Sequence, residues 1–83
     1  MENIKSDFLT KDNKKNIVHK MINNTHQAIL DDEVKMEFYE YLATQCEDQK
    51  KAAQWRVEAD KTNINKKSLE DALDNLNKFA QLY

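Results

Sequence analysis

An all-α fold is the expectation for this chain, and three observations carry it. Its 83 residues include neither glycine nor proline, the residues that supply positive φ, tight hairpin turns and helix stops, which β folds need often. Apolar residues recur at Leu69, Ala72, Leu73, Leu76, Phe79, Ala80 and Tyr83, a spacing that keeps them on one side of a 3.6-residue helix. Two start signals precede apolar stretches: Asp31 to Glu33 before Val34, and Ser68 three residues ahead of Asp71. Together they predict a small three-helix arrangement with a long central helix and a C-terminal helical hairpin. The arrangement forms a single helical domain over residues 10–83, behind an N-terminal tail, 1–9.

Each element follows from local chemistry. The tail has only Phe8 and Leu9 as a sizeable apolar anchor. Thr10 is the expected N-cap of a first helix from about Lys11 to Asn23, with Asp12 at its positive end. Ile17, Val18, Met21 and Ile22 form its apolar side, and Asn23, Asn24 and Thr25 should break or fray it. Ala28, Ile29 and Leu30 read as a short packed elbow. A central helix from Asp32 to about Asp60 would then run roughly 29 residues, or about 43 Å. Phe38, Tyr39, Leu42, Cys46, Ala53 and Val57 share one arc of it, opposite Glu33, Glu37, Glu40 and Glu47. Its middle, Glu47 to Lys51, carries almost no apolar residue and is where a kink would sit. Residues 61–67, rich in Asn and Thr, read as the second connection. A continuous helix over 32–83 is the alternative. The capping pattern at Thr44 to Glu47 is set aside, since no connection precedes it.

Length and composition narrow the function. So short a chain buries a thin core, and a partner, metal or disulfides often assist. A single cysteine excludes an internal disulfide, and with two histidines it excludes a cysteine-rich zinc module. No run approaches the roughly 20 apolar residues of a membrane span, and residues 1–7 lack a signal-peptide pattern. A cytoplasmic (intracellular) or virion setting is therefore expected. The last helix, at about 24 Å, covers only half of the central one. That mismatch points to a protein partner or to self-association.

Charge comes in blocks. Residues 1–30 hold five lysines against three acids, and residues 31–48 hold seven acids against Lys35. Residues 49–67 hold six basic residues against two acids, and residues 68–83 hold three acids against Lys78. Opposite-sign blocks favour intramolecular pairing or head-to-tail association over one field for a polyanion. With a net charge of −2, they argue against nucleic acid.

Candidate sites follow. Trp55, off the central arc and next to Arg56, is either an interface anchor or a side chain that the first helix or the tail covers. Phe38, Tyr39, Leu76, Phe79 and Tyr83 are the other partner-binding candidates. Glu33, Glu37, Glu40 and Glu47 form an acidic face, either solvated or able to imitate a nucleic-acid backbone. His19 and His26 lie about 10.5 Å apart on a helix, too far to share a metal. Cys46 reads as a small buried hydrophobe. No catalytic constellation emerges, and neither a cofactor, a metal nor a small-molecule substrate is expected.

Residues Phe8-Leu9-Thr10-Lys11-Asp12-Asn13-Lys14-Lys15-Asn16-Ile17 resemble the short F-L-T-x-E-N-K/R opening of some virion proteins of the nucleocytoplasmic large DNA viruses, where a Leu-Asn-Lys-Phe segment can follow, as Leu76 to Phe79 does here. Val18 stands in the region where that motif often has an aromatic residue. The resemblance implies a minor structural or accessory component of a virus particle. The residues themselves imply a non-enzymatic helical protein–protein interaction module: an adaptor, an assembly factor or a minor structural component. The alternative is a small acidic inhibitor, for example of phage origin, that blocks a nucleic-acid-binding protein.

Overall fold

The structure, a computed structural model, describes residues 10–83. The tail of residues 1–9, with Phe8 and Leu9, lies outside the described residues. Two helices, not three, make up the rest: α1 (Lys11–Gln45) and α2 (Gln49–Ala80). They form an antiparallel hairpin with principal extents of 62 × 26 × 13 Å. The all-α class stands, and the three-helix arrangement gives way to a pair.

Neither expected connection is one. Residues 23–25 lie inside α1 and residues 61–67 inside α2. The two threonines there bond within their own helices. Thr25 Oγ1 donates to the Met21 carbonyl at 2.8 Å, and Thr62 Oγ1 donates to the Glu58 carbonyl at 2.9 Å. A propensity deficit of about 0.5 kcal/mol per residue is small against the burial of a facing side chain. The elbow at Ala28 to Leu30 is likewise helical, with Ile29 buried and Leu30 exposed.

The reversal falls at Cys46 to Asp48, where the sequence predicts only a kink. Cys46 (φ −83°, ψ 123°) and Asp48 (φ −78°, ψ 114°) are both extended, and no described residue has a positive φ. A turn of this kind needs no glycine, so a glycine-free chain can make it. Asp48 Oδ1 accepts the Lys50 N–H at 2.9 Å and caps α2, while the Cys46 thiol donates to the Asp48 carbonyl at 3.4 Å. Cys46 is thus a half-buried turn residue rather than a core one. Thr10 caps α1 as expected, its hydroxyl accepting the Asn13 N–H at 3.3 Å. Asp48→Ala is expected to cost about 1 kcal/mol in urea unfolding, the usual worth of an N-cap. Ser68→Ala should be neutral or slightly stabilising, because Ser68 is exposed inside α2 and alanine is the better helix former.

Helix lengths of 35 and 32 residues, about 52 and 48 Å, match each other. The unequal reach that argued for an external partner is therefore absent. What packs the pair is a seam that repeats every seven residues. Along α1 and into the turn, the residues Val18, Ile22, Thr25, Ile29, Asp32, Met36, Tyr39, Ala43 and Cys46 are all buried or half-buried. Along α2 and just past its end, the same holds for Ala52, Trp55, Ala59, Thr62, Lys66, Leu69, Leu73, Leu76, Ala80 and Tyr83. Steps alternate between three and four, the signature of an antiparallel coiled-coil seam. Val18, Ile29, Ala43, Ala52 and Ala59 are its buried apolar members. Burying a valine or isoleucine contributes about 1.5–3 kcal/mol, so the apolar core is thin.

A polar layer interrupts the seam near its middle. Asp32 is only 5% exposed and accepts a hydrogen bond from Asn65 Nδ2 at 2.7 Å. Lys66 bridges Glu33 across the helices at 3.2 Å and Glu70 within α2 at 3.8 Å. These contacts pin the register, since a slip of one turn would leave a buried carboxylate unpartnered.

Candidate functional site

The partner-binding candidates separate to the two ends of the rod. Near the turn, Phe38, Tyr39 and Trp55 form a short aromatic ladder: Phe38 and Tyr39 are tilted at 6.1 Å, and Tyr39 stacks on Trp55 at 5.8 Å with 14° between the rings. Trp55 occupies a seam position and is half-buried, and the residue stacked on it is Tyr39, which the sequence places on the central helix rather than on the first helix or the tail. Neighbouring Arg56 is exposed and lines a hollow of about 420 Å³ with Glu40, Ala43, Thr44, Ala59 and Asp60.

At the open end, Phe79 and Tyr83 meet edge to face at 5.3 Å. With Lys14, Ile17, Val18 and Met21 they line an apolar hollow of about 290 Å³. Leu76 and Tyr83 are half-buried in the seam, and Phe79 is exposed. About 36 Å of helix separates Trp55 from Phe79, so these candidates form no single site.

The expected central arc does not hold as one surface. Phe38, Ala53 and Val57 are exposed, while Tyr39, Leu42 and Cys46 are half-buried. The reason is geometric: that arc crosses the turn, and the chain direction reverses there.

On the acidic side, Glu33, Glu37, Glu40 and Glu47 are all exposed. The hairpin lays the acidic 31–48 block beside the basic 49–67 block, yet Glu33–Lys66 is the single ion pair between them among the described residues. Glu37, Glu40 and Glu47 form no ion pair among the described residues. The block-level complementarity is therefore largely unused within the chain.

A larger feature escaped the sequence reading. Six large apolar side chains of α1 are exposed: Ile17, Met21, Leu30, Val34, Phe38 and Tyr41. Val34 (65% exposed) and Tyr41 (60%) sit seven residues apart and point directly away from the seam. On α2 and just past its end, Val57, Ile64, Phe79 and Leu82 are exposed, in two widely separated pairs. The signal was present in the sequence, because once the seam is placed, apolar residues midway between seam positions stand out. Among the described residues no group of three or more His, Cys, Asp or Glu could hold a metal ion, and no helix is long and apolar enough to cross a membrane. No protein family, curated protein or solved structure matches the chain.

Proposed function

We propose that the protein is a non-enzymatic helical interaction module, an adaptor, assembly factor or minor structural component, including one of a virus particle. The observation that carries this reading is the patch of Leu30, Val34, Phe38 and Tyr41 on the side of α1 away from the seam. Scattered apolar residues are ordinary on any surface, but several on one side of one helix are the usual mark of a binding surface. A rigid rod with an aromatic and aliphatic stripe matches helix-on-helix recognition, in which anchors three, four and seven residues apart enter a groove or a bundle. The hollows are wide and built from few residues, which suits a contact surface better than enclosure of a small molecule.

The test replaces Val34, Phe38 and Tyr41 by glutamine in one chain. Far-UV circular dichroism and the urea midpoint should stay close to wild type, because none of the three belongs to the seam. Association with the partner captured from the native source, or with the chain itself, should be lost. Retained association in a folded variant would remove the surface from consideration.

The acidic-inhibitor reading keeps one supporting observation, the exposed Glu37, Glu40 and Glu47, which form no ion pair among the described residues. It requires that Glu37→Lys with Glu40→Lys abolish binding to a nucleic-acid-binding protein while the apolar triple substitution leaves that binding intact.

A further inference from the structure

We infer that copies of this chain stack side by side, the outer face of α1 on one copy docking against the outer face of α2 on the next. The inference rests on the interaction reading above and names its partner.

The levels of the two helices carry it. Asp32 bonds Asn65 and Glu33 bonds Lys66 across the seam, so residues 32 and 33 of α1 stand level with residues 65 and 66 of α2. Val34 is therefore level with Ile64, and Tyr41, seven residues on, is level with Val57, seven residues back. All four are exposed, and all four occupy the heptad position opposite the seam. Val34 and Tyr41 leave the rod on one side, Val57 and Ile64 on the other. Towards the open end the same outward positions hold Lys20 and Gln27 on α1 and Lys78 and Asp71 on α2. Apolar residues thus face outward on both sides at one height. A hairpin set beside another by simple translation brings Val34 onto Ile64 and Tyr41 onto Val57. Leu30 and Phe38 then meet the apolar stems of Lys67 and Lys61.

Charge selects the same arrangement. Around these residues the outward-facing charges of α1 are Asp31 and Glu37, while those of α2 are Lys50, Lys61 and Lys67 against Asp60. Two α1 faces brought together would oppose acids on acids, and two α2 faces would oppose lysines on lysines. Only α1 on α2 sets an acidic face on a basic one. Asp31, Glu37, Lys50 and Lys67 form no ion pair among the described residues, so these charges are unspent within the chain. Because the two faces differ, the contact is heterologous and translation does not close it, so copies add one after another. Each contact covers on the order of 500 Å² per copy, below the roughly 800 Å² of a stable pair. The stack is therefore reversible and grows with concentration.

Closing one face at a time tests this. One variant carries Val34→Gln and Tyr41→Gln, the other Val57→Gln and Ile64→Gln, and circular dichroism checks the helicity of each. Sedimentation equilibrium is run up to about 500 µM, where a contact with a dissociation constant of about 100 µM is mostly filled. The wild type should climb past twice the 9.8 kDa of one chain, which a closed pair cannot do. Each variant alone should stay at the mass of one chain. Their equimolar mixture should approach twice that mass and stop there, because each variant supplies the face that the other lacks. If a variant loses helicity, alanine replaces glutamine at the same positions and the same outcomes are expected. A wild type that stops at one or two copies, a variant that associates as the wild type does, or a mixture that stays monomeric overturns the proposal. A monomeric wild type whose captured partner still needs Val34 and Tyr41 sinks the stack alone. If that partner is also indifferent to both residues, the interaction reading fails with it.

Discussion

Ile64→Pro is expected to lower the stability of the chain by about 3 kcal/mol or more, the cost of a proline inside a helix. Ile64 stands in the stretch whose composition reads as a connection, yet it lies mid-way along α2 and is 66% exposed. Loss of its side chain therefore accounts for little, and Ile64→Ala should stay within about 0.5 kcal/mol of wild type. The contrast isolates the backbone: proline removes one N–H donor and clashes with the preceding turn. Urea unfolding followed at 222 nm reads both. If proline is tolerated at position 64 as well as alanine is, the segment is a loop and α2 is not continuous.

The second large effect lies in the seam. Ile29→Ala should cost about 2 kcal/mol, the low end for an isoleucine truncated in a core, because a two-helix seam relaxes more easily than a closed interior. Val57→Ala should cost no more than about 0.5 kcal/mol, since half of that side chain already meets solvent. Helical-wheel reasoning ranks the two the other way, with Val57 on the central arc and Ile29 in an elbow. Equal costs at the two positions would mean the seam is wrongly placed.

Which parts of the fold were legible follows from these residues. The absence of glycine and proline announced helices, and the C-terminal stripe placed Leu69, Leu73, Leu76, Ala80 and Tyr83 on the side that α1 covers. Thr10 as a cap was legible because one side-chain acceptor sufficed to identify it. The turn was not, for two reasons. Cys46 and Glu47 are not turn-formers, and Asp48, which is one, caps α2 from within a charged run and resembles any other acidic residue there. The false connections had the opposite fault: Asn and Thr disfavour helices only weakly, and tertiary burial outweighs that preference. The seam was hidden because Thr25, Asp32, Thr62 and Lys66 occupy it while Val34, Tyr41, Val57 and Ile64 face solvent. That inversion weakens the contrast between the two sides of each helix, and it leaves large apolar side chains on the solvent side of α1.

The most direct test of the hairpin is the distance between nitroxide labels at positions 19 and 78. They would be placed in a Cys46→Ser background and diluted with unlabelled chain, so that only distances within one molecule count. Reversal at Cys46 to Asp48 brings His19 and Lys78 to neighbouring levels of the rod, and with helix axes about 8–10 Å apart the labels should lie within about 30 Å. A turn at residues 61–67 would instead set them about 46 Å apart, and an unbroken helix about 88 Å apart. A dominant distance beyond about 40 Å on that scale would contradict the two-helix account.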